Sequence, residues 1–152
     1  MTIMRLHACC AARGETGVLI LGAPGTGKSD LLLRLIARGY GLVADDRVEL
    51  ENGVARAPVA LQGLVEMRGW GIVRRSFTES VCVVLMVRLT GNGVNAPRLP
   101  EMDKAHDPQT GLPVIWLDGM MASSPDRIDL ALDCLTGRAL LLPQGAMLTG
   151  DD

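Results

Sequence analysis

Between residues 22 and 29 the chain reads Gly22-Ala23-Pro24-Gly25-Thr26-Gly27-Lys28-Ser29: a glycine, four residues, then Gly-Lys-Ser. A chain that uses this stretch must place a strand before it and a helix after it. Only then do successive backbone N–H groups converge on one anion at the positive end of a helix. The flanking residues meet that demand. Gly17 to Leu21 is a short, nearly all-apolar run, as a buried strand requires. From Asp30 to Arg38, Leu31, Leu32, Leu35 and Ile36 recur at helical spacing, and Gly39 supplies the stop. The glycines let the main chain approach phosphate oxygens without a Cβ in the way. In this setting Gly22, Ala23, Pro24, Gly25, Thr26, Gly27, Lys28 and Ser29 form a phosphate-binding loop. Lys28 places a point charge on the outer phosphates, and Ser29 offers a hydroxyl oxygen to Mg²⁺.

At 152 residues the chain suits one domain with a real core. Aromatics are scarce, so Leu, Val, Ile, Ala and Met must build that core. A formal net charge of −2 gives no electrostatic case for nucleic acid or an anionic membrane as a partner. The longest apolar stretch, Val81 to Val87, ends at Arg88 and is too short to span a bilayer. The N-terminus lacks the apolar core of a signal peptide, so the expectation is a soluble, cytoplasmic protein. Of the four cysteines, Cys9, Cys10, Cys82 and Cys134, none stands in a CxxC pair. They read as buried free thiols rather than a zinc site, and Cys9 and Cys10 face opposite sides if they share a strand.

Taken in order, Ile3 to Ala12 reads as a strand, and the turn-rich Arg13 to Gly17 folds it back beside the strand that feeds the loop. His7 lies in that first strand, and spacing alone leaves it open between surface and function. Tyr40 to Ala44 is apolar and ends in Asp45-Asp46, at the strand end where open α/β sheets place their chemistry. Val81 to Thr90 has no acid at its end, so Asp45 and Asp46 are the candidates for metal-linked or base chemistry, with a polar turn as the alternative. Asn52-Gly53 signals a hairpin. Val59 to Val65 continues as strand or loop, and Glu66 to Val73 reads as a glycine-containing loop. Arg74 and Arg75 are expected in solvent. Val81 to Leu89 is a strand, and Thr90 to Gly111 is irregular, as a lid, a binding loop or a disordered segment would be. Pro113 to Leu117 is a short strand with Trp116 in the core. A helix starts at Pro125 and runs to Gly137; Leu140 to Leu142 is a last apolar patch before a frayed acidic end. The expected architecture is a single α/β domain with a mixed sheet, a helix over 29–38 on one face and the site at the strand ends.

Several of these stretches together resemble the catalytic domain of the HPr kinase/phosphorylase family. They are His7 ahead of the loop, Gly22 to Asp30, Arg38 to Leu50 with its Ala-Asp-Asp, and Glu66 to Val73, where Trp70 stands in place of the family's usual Leu. The match is strongest over residues 5–75. The resemblance implies a nucleotide-binding core similar to that of phosphoenolpyruvate carboxykinase, and ATP-dependent phosphorylation of a serine on the phosphocarrier HPr. It gives Lys28 and the loop backbone to the β- and γ-phosphates, and Ser29 and Glu66 to Mg²⁺. It makes Asp45 the general base and, protonated, the acid of the reverse, phosphorolytic reaction. Asp46 supports the metal and Asp45, and His7 lies beside the reacting phosphate. Arg98, in Pro97-Arg98-Leu99-Pro100, corresponds to an arginine of the family's mobile region. The family's N-terminal domain and its C-terminal Pro-Gly-Arg-Asn motif have no counterpart here; Ser124 to Arg127 stands in the motif's place. The resemblance is therefore to a truncated form, and it leaves homo-oligomer formation open. Two other readings are a small-molecule kinase on the same core and a non-catalytic nucleotide-binding regulator.

Overall fold

The computed structural model describes residues 2–91, 96 and 105–142. Ten strands and two α-helices follow in chain order. β1 (Met4–Leu6), β2 (Cys9–Arg13) and β3 (Thr16–Leu21) lead into α1 (Lys28–Ala37). Next come β4 (Gly41–Ala44), β5 (Val48–Glu51), β6 (Val54–Arg56), β7 (Leu64–Met67), β8 (Gly71–Arg74) and β9 (Val81–Leu89). β10 (Val114–Leu117) and α2 (Ser124–Leu135) complete the described chain.

The main sheet has eight strands in the order β1-β5-β6-β9-β3-β2-β4, with β10 on β9. β3, β9 and β10 run parallel, while β2 is antiparallel to both β3 and β4. The sheet is mixed, as expected. β9 shares one edge between two partners: β6 pairs at Val81 and Cys82, and β10 pairs from Met86 to Leu89. β7 and β8 form a separate two-stranded hairpin.

The sequence predicts one strand over Ile3 to Ala12, but the structure breaks it at His7 and Ala8. The reason lies in its partners. β1 pairs with β5, whereas β2 pairs with β3 and β4. In a flat sheet β1 and β2 would lie about 24 Å apart at ~4.8 Å per strand. The link from Leu6 to Cys9 reaches only about 10 Å. The sheet must therefore curl, bringing β1, β5 and β6 over one of its faces. Val48, Leu50 and Ala55 accordingly pack there with Cys10, Leu19, Val43 and Met86.

The other face is covered by the helices. Leu31, Leu32 and Leu35 of α1 and Ile128 and Leu132 of α2 meet Cys9, Val18, Ile20, Leu85 and Val87. The alternation of Val18 and Ile20 toward the helices with Leu19 toward the curl is the period of two that a strand imposes. Cys9 and Cys10 divide between the two faces in the same way, as predicted.

Other expectations meet mixed outcomes. Asn52 and Gly53, at φ 53° and 78°, make the two-residue turn between β5 and β6. Glu66 to Val73 is mostly strand rather than loop, because only Arg68 to Trp70 turn between β7 and β8. Cys82 is exposed and Cys134 half-buried, so only Cys9 and Cys10 fit the buried-thiol expectation. Trp116 is half-buried against the curled face and carries the Arg88 guanidinium over its ring at 6.0 Å. The irregular stretch expected over 90–111 lies largely outside the described residues, as do Arg98 and the acidic end. No described helix is long and apolar enough to cross a membrane.

Candidate active site

β3 and β4 both end at the edge of the sheet where β2 begins, since β2 is antiparallel to each. That topology gathers three stretches at one rim: the glycine-rich loop after β3, Asp45-Asp46 after β4, and His7-Ala8 before β2. The Ala8 N–H donates to the Asp46 carbonyl at 3.2 Å, tying the last two together. Asp46 has φ 70°, the left-handed region that Asp tolerates better than most side chains. This lets the chain turn sharply into β5.

The loop closes on itself. Thr26 donates to the Ala23 carbonyl from both its N–H (3.2 Å) and its hydroxyl (2.7 Å). Gly22 is required by space: a Cβ there would lie 2.5 Å from Thr26 Oγ1 and 3.1 Å from Leu89 Cβ. Gly27 is required by conformation, capping α1 at φ 94°. Lys28 Nζ donates to the carbonyls of Gly22 (2.7 Å) and Ala23 (3.4 Å), so the ammonium lies against the loop it follows.

Asp45 is the focus of the rim. Its Oδ1 accepts from Ser29 Oγ at 2.9 Å and from the Cys9 thiol at 3.4 Å. Its Oδ2 accepts from the Glu66 N–H at 2.9 Å. Thus α1, β2 and β7 each send one donor to the end of β4. Burial, with the Asp45 charge beside it, pushes the Cys9 thiol up to about 12, so Cys9 is a neutral donor and not a thiolate nucleophile.

The structure brings Lys28, Ser29, Asp45 and the Glu66 backbone into direct hydrogen-bond contact with the loop or with each other. Asp46 and the Glu66 side chain are exposed beside them. His7 is exposed too, and lines a cleft of about 380 Å³ with Arg5, Arg47, Glu49 and Leu61. Among the described residues no three His, Cys, Asp or Glu side chains converge as a metal cage. Mg²⁺ does not demand one: it is commonly held by one or two carboxylates plus phosphate and water. The Ser29 hydroxyl and the carboxylates of this rim are hard oxygen donors of that kind, and they fit.

Two features escaped the sequence reading. The Cys9 thiol contact to Asp45 has no sequence signal beyond a cysteine near the start of a strand. The turn after β10, beginning at Asp118, does have one: an apolar strand ending in an acid, the pattern that singled out Asp45.

A mixed α/β sheet whose parallel strand β3 runs into a glycine-rich loop and a helix, with a carboxylate anchored beside that loop, defines the class of fold. Residues 2–88 match the family described as "HPr Serine kinase C-terminal domain", more than half of the chain, and the chain belongs to that family. The HPr kinase/phosphorylase of Bordetella pertussis is 43% identical over 113 residues, 64% of this chain and 36% of that protein. That of Aromatoleum aromaticum is 39% identical over 114 residues, 65% of this chain and again 36% of the relative. The match thus spans about a third of the length of these curated relatives. The structure of the Hpr(Ser) kinase/phosphatase from Coxiella burnetii superposes with a TM-score of 0.67 at 25% identity, covering 89% of this chain and 92% of that one.

Proposed function

We propose that this chain transfers the γ-phosphoryl group of ATP to a serine hydroxyl of HPr or a related phosphocarrier, with Mg²⁺ as cofactor. The observation that carries the reading is the carboxylate of Asp45, held by Ser29 Oγ at 2.9 Å at the start of the helix that follows the loop. Family membership and the names of its relatives support the choice of acceptor.

In this reading the loop N–H groups and Lys28 hold the β- and γ-phosphates, the ammonium leaving its carbonyl partners for the anion. Asp45 is the base. A carboxylate has about four acceptor positions. Ser29 and Cys9 use two on Oδ1, and Glu66 N–H uses one on Oδ2. Oδ2 keeps a lone pair for the acceptor's proton. As the serine oxygen bonds to the γ-phosphorus, the bond to the bridging β–γ oxygen breaks and the proton passes to Asp45. The products are phosphoserine and ADP. In reverse, protonated Asp45 returns its proton to the seryl oxygen while inorganic phosphate attacks phosphoserine, giving pyrophosphate and free serine. Mg²⁺, when bound, neutralises charge on the transferring phosphates. Ser29 and Glu66 would hold it, with Asp46 in support. The family resemblance gives His7 a place beside the reacting phosphate and makes Arg98 the counterpart of an arginine of the family's mobile region. The exposed rim favours a protein acceptor over a small one, because nothing in this arrangement needs to enclose the hydroxyl donor.

Single-turnover phosphorylation of HPr by the wild type and by Asp45→Asn tests this role. Transfer by the wild type and its collapse in a variant that still binds ATP are expected. Equal transfer by both would remove Asp45 as the base.

A further inference from the structure

We propose that the turn after β10, Asp118 to Met121, is the wall that receives the nucleoside end of the bound nucleotide, with Met120 in contact with the base and Arg34 as a positioning residue. This rests on the phosphate-binding reading of the loop and adds to it the specificity element for the nucleoside.

Sheet order supplies the first argument. Asp45 ends β4, two strands to one side of β3, and the turn ends β10, two strands to the other. A nucleotide whose terminal phosphate faces Asp45 must direct its ribose and base the opposite way. Contact supplies the second. A Cβ at Gly119 would stand 2.9 Å from the Thr26 carbonyl oxygen, and a Cβ at Gly27 would stand 3.2 Å from Met120 Sδ. The turn therefore lies directly against the phosphate loop.

The turn is also held rigidly while its apolar side chains stay in solvent. Asp118 Oδ1 accepts the Met120 N–H at 2.9 Å, and the Asp118 carbonyl accepts from the Met121 N–H at 3.1 Å and from Ser124 Oγ at 2.7 Å. Arg34, one helical turn beyond Asp30 on α1, donates to the Met121 carbonyl at 3.0 Å and to the Gly119 carbonyl. Yet Met120 is 65% exposed. An unbranched thioether is well suited to lie against a flat aromatic ring, and sulfur–ring contacts are favourable. None of the chain's few aromatic residues is part of this turn.

The test compares affinities of the full chain for ATP and for inorganic tripolyphosphate, which offers the phosphates without a nucleoside. The wild type is expected to bind ATP more tightly. Met120→Ala should weaken ATP by about two- to tenfold and leave tripolyphosphate unchanged. Arg34→Ala should act in the same direction, with Arg34→Lys restoring part of the loss. Lys28→Ala should weaken both ligands. Tripolyphosphate bound as tightly as ATP, or Met120→Ala indistinguishable from wild type, overturns the proposal and leaves the phosphate loop intact. A wild type that binds neither ligand overturns the phosphate-binding reading itself, and this proposal with it.

Discussion

Ser29 and Asp45 lie 16 residues apart, and the hydroxyl of one donates to the carboxylate of the other at 2.9 Å. This bond joins the start of α1 to the end of β4, so the element that would hold phosphate and the carboxylate that would accept a proton move as one unit. Asp45→Asn should keep the fold and ATP binding while slowing transfer to HPr by about 10²–10⁴-fold, the usual contribution of a general base. Nucleotide affinity and transfer rate measured on one preparation check this, and a parallel loss of both would mean that Asp45 shapes the loop rather than serving the chemistry.

Gly22→Ala should damage the loop without touching Lys28 or Asp45. The added Cβ would meet Thr26 Oγ1 at 2.5 Å, and Thr26 could yield only by leaving the Ala23 carbonyl. Overpacking of this kind costs about 1–3 kcal/mol. A lowered Tm together with weakened ATP binding is expected from thermal unfolding with and without nucleotide.

The cysteines should separate cleanly by reactivity. Burial raises the Cys9 thiol to about 12 and raises Cys10 as well, whereas Cys82 is exposed. An alkylating reagent at pH 8 should label native Cys82 and reach Cys9 and Cys10 only after denaturation. Because both shifts are upward, the two thiols stabilise the fold fully below the ordinary thiol pKa, about 8.5. That contribution is lost as pH rises from there through their folded values. Peptide mapping of the labelled native protein reads the outcome, and early labelling of Cys9 would contradict the packed rim.

Asp129 ties α2 to the body of the domain. It accepts from Tyr40 Oη and from Arg38 Nη2 at 2.6 Å, and Arg13 Nη1 donates to its carbonyl at 3.1 Å. Burial opposes ionisation of the Asp129 carboxyl, but Tyr40, Arg38 and Arg13 outweigh it and hold the group below its usual range. A depressed folded pKa stabilises the protein above the unfolded value, about 3.9, and that stability is lost as pH falls below it. Asp129→Asn should cost about 1–3 kcal/mol at neutral pH. Urea unfolding should show the gap from wild type narrowing toward pH 3.

What the sequence made legible is what short-range physics decides. β3, the glycine-rich turn after it and α1 follow from apolar periodicity and glycine spacing. β9 follows from its branched residues, and the β5–β6 turn from Asn52-Gly53. Asp45 was readable because it ends a short apolar strand, the place where open α/β sheets put their chemistry. The break at His7 was not, because every residue of 3–12 is compatible with a strand and only the change of pairing partner interrupts it. Gly69 and Gly71 hid the β7–β8 hairpin, since glycines mark both loops and tight turns. The clamp of Arg34 on the turn after β10 joins residues 85 and 87 positions apart, a distance that no local pattern encodes.

Transfer of phosphate from this rim to a serine of HPr is the proposed reaction. The direct measurement is mass-spectrometric mapping of HPr after incubation with the protein, ATP and Mg²⁺, beside the Lys28→Ala variant. The account predicts one phosphoserine on HPr, formed by the wild type and not by Lys28→Ala. Unmodified HPr, from a wild type shown in the same sample to bind ATP, would contradict it.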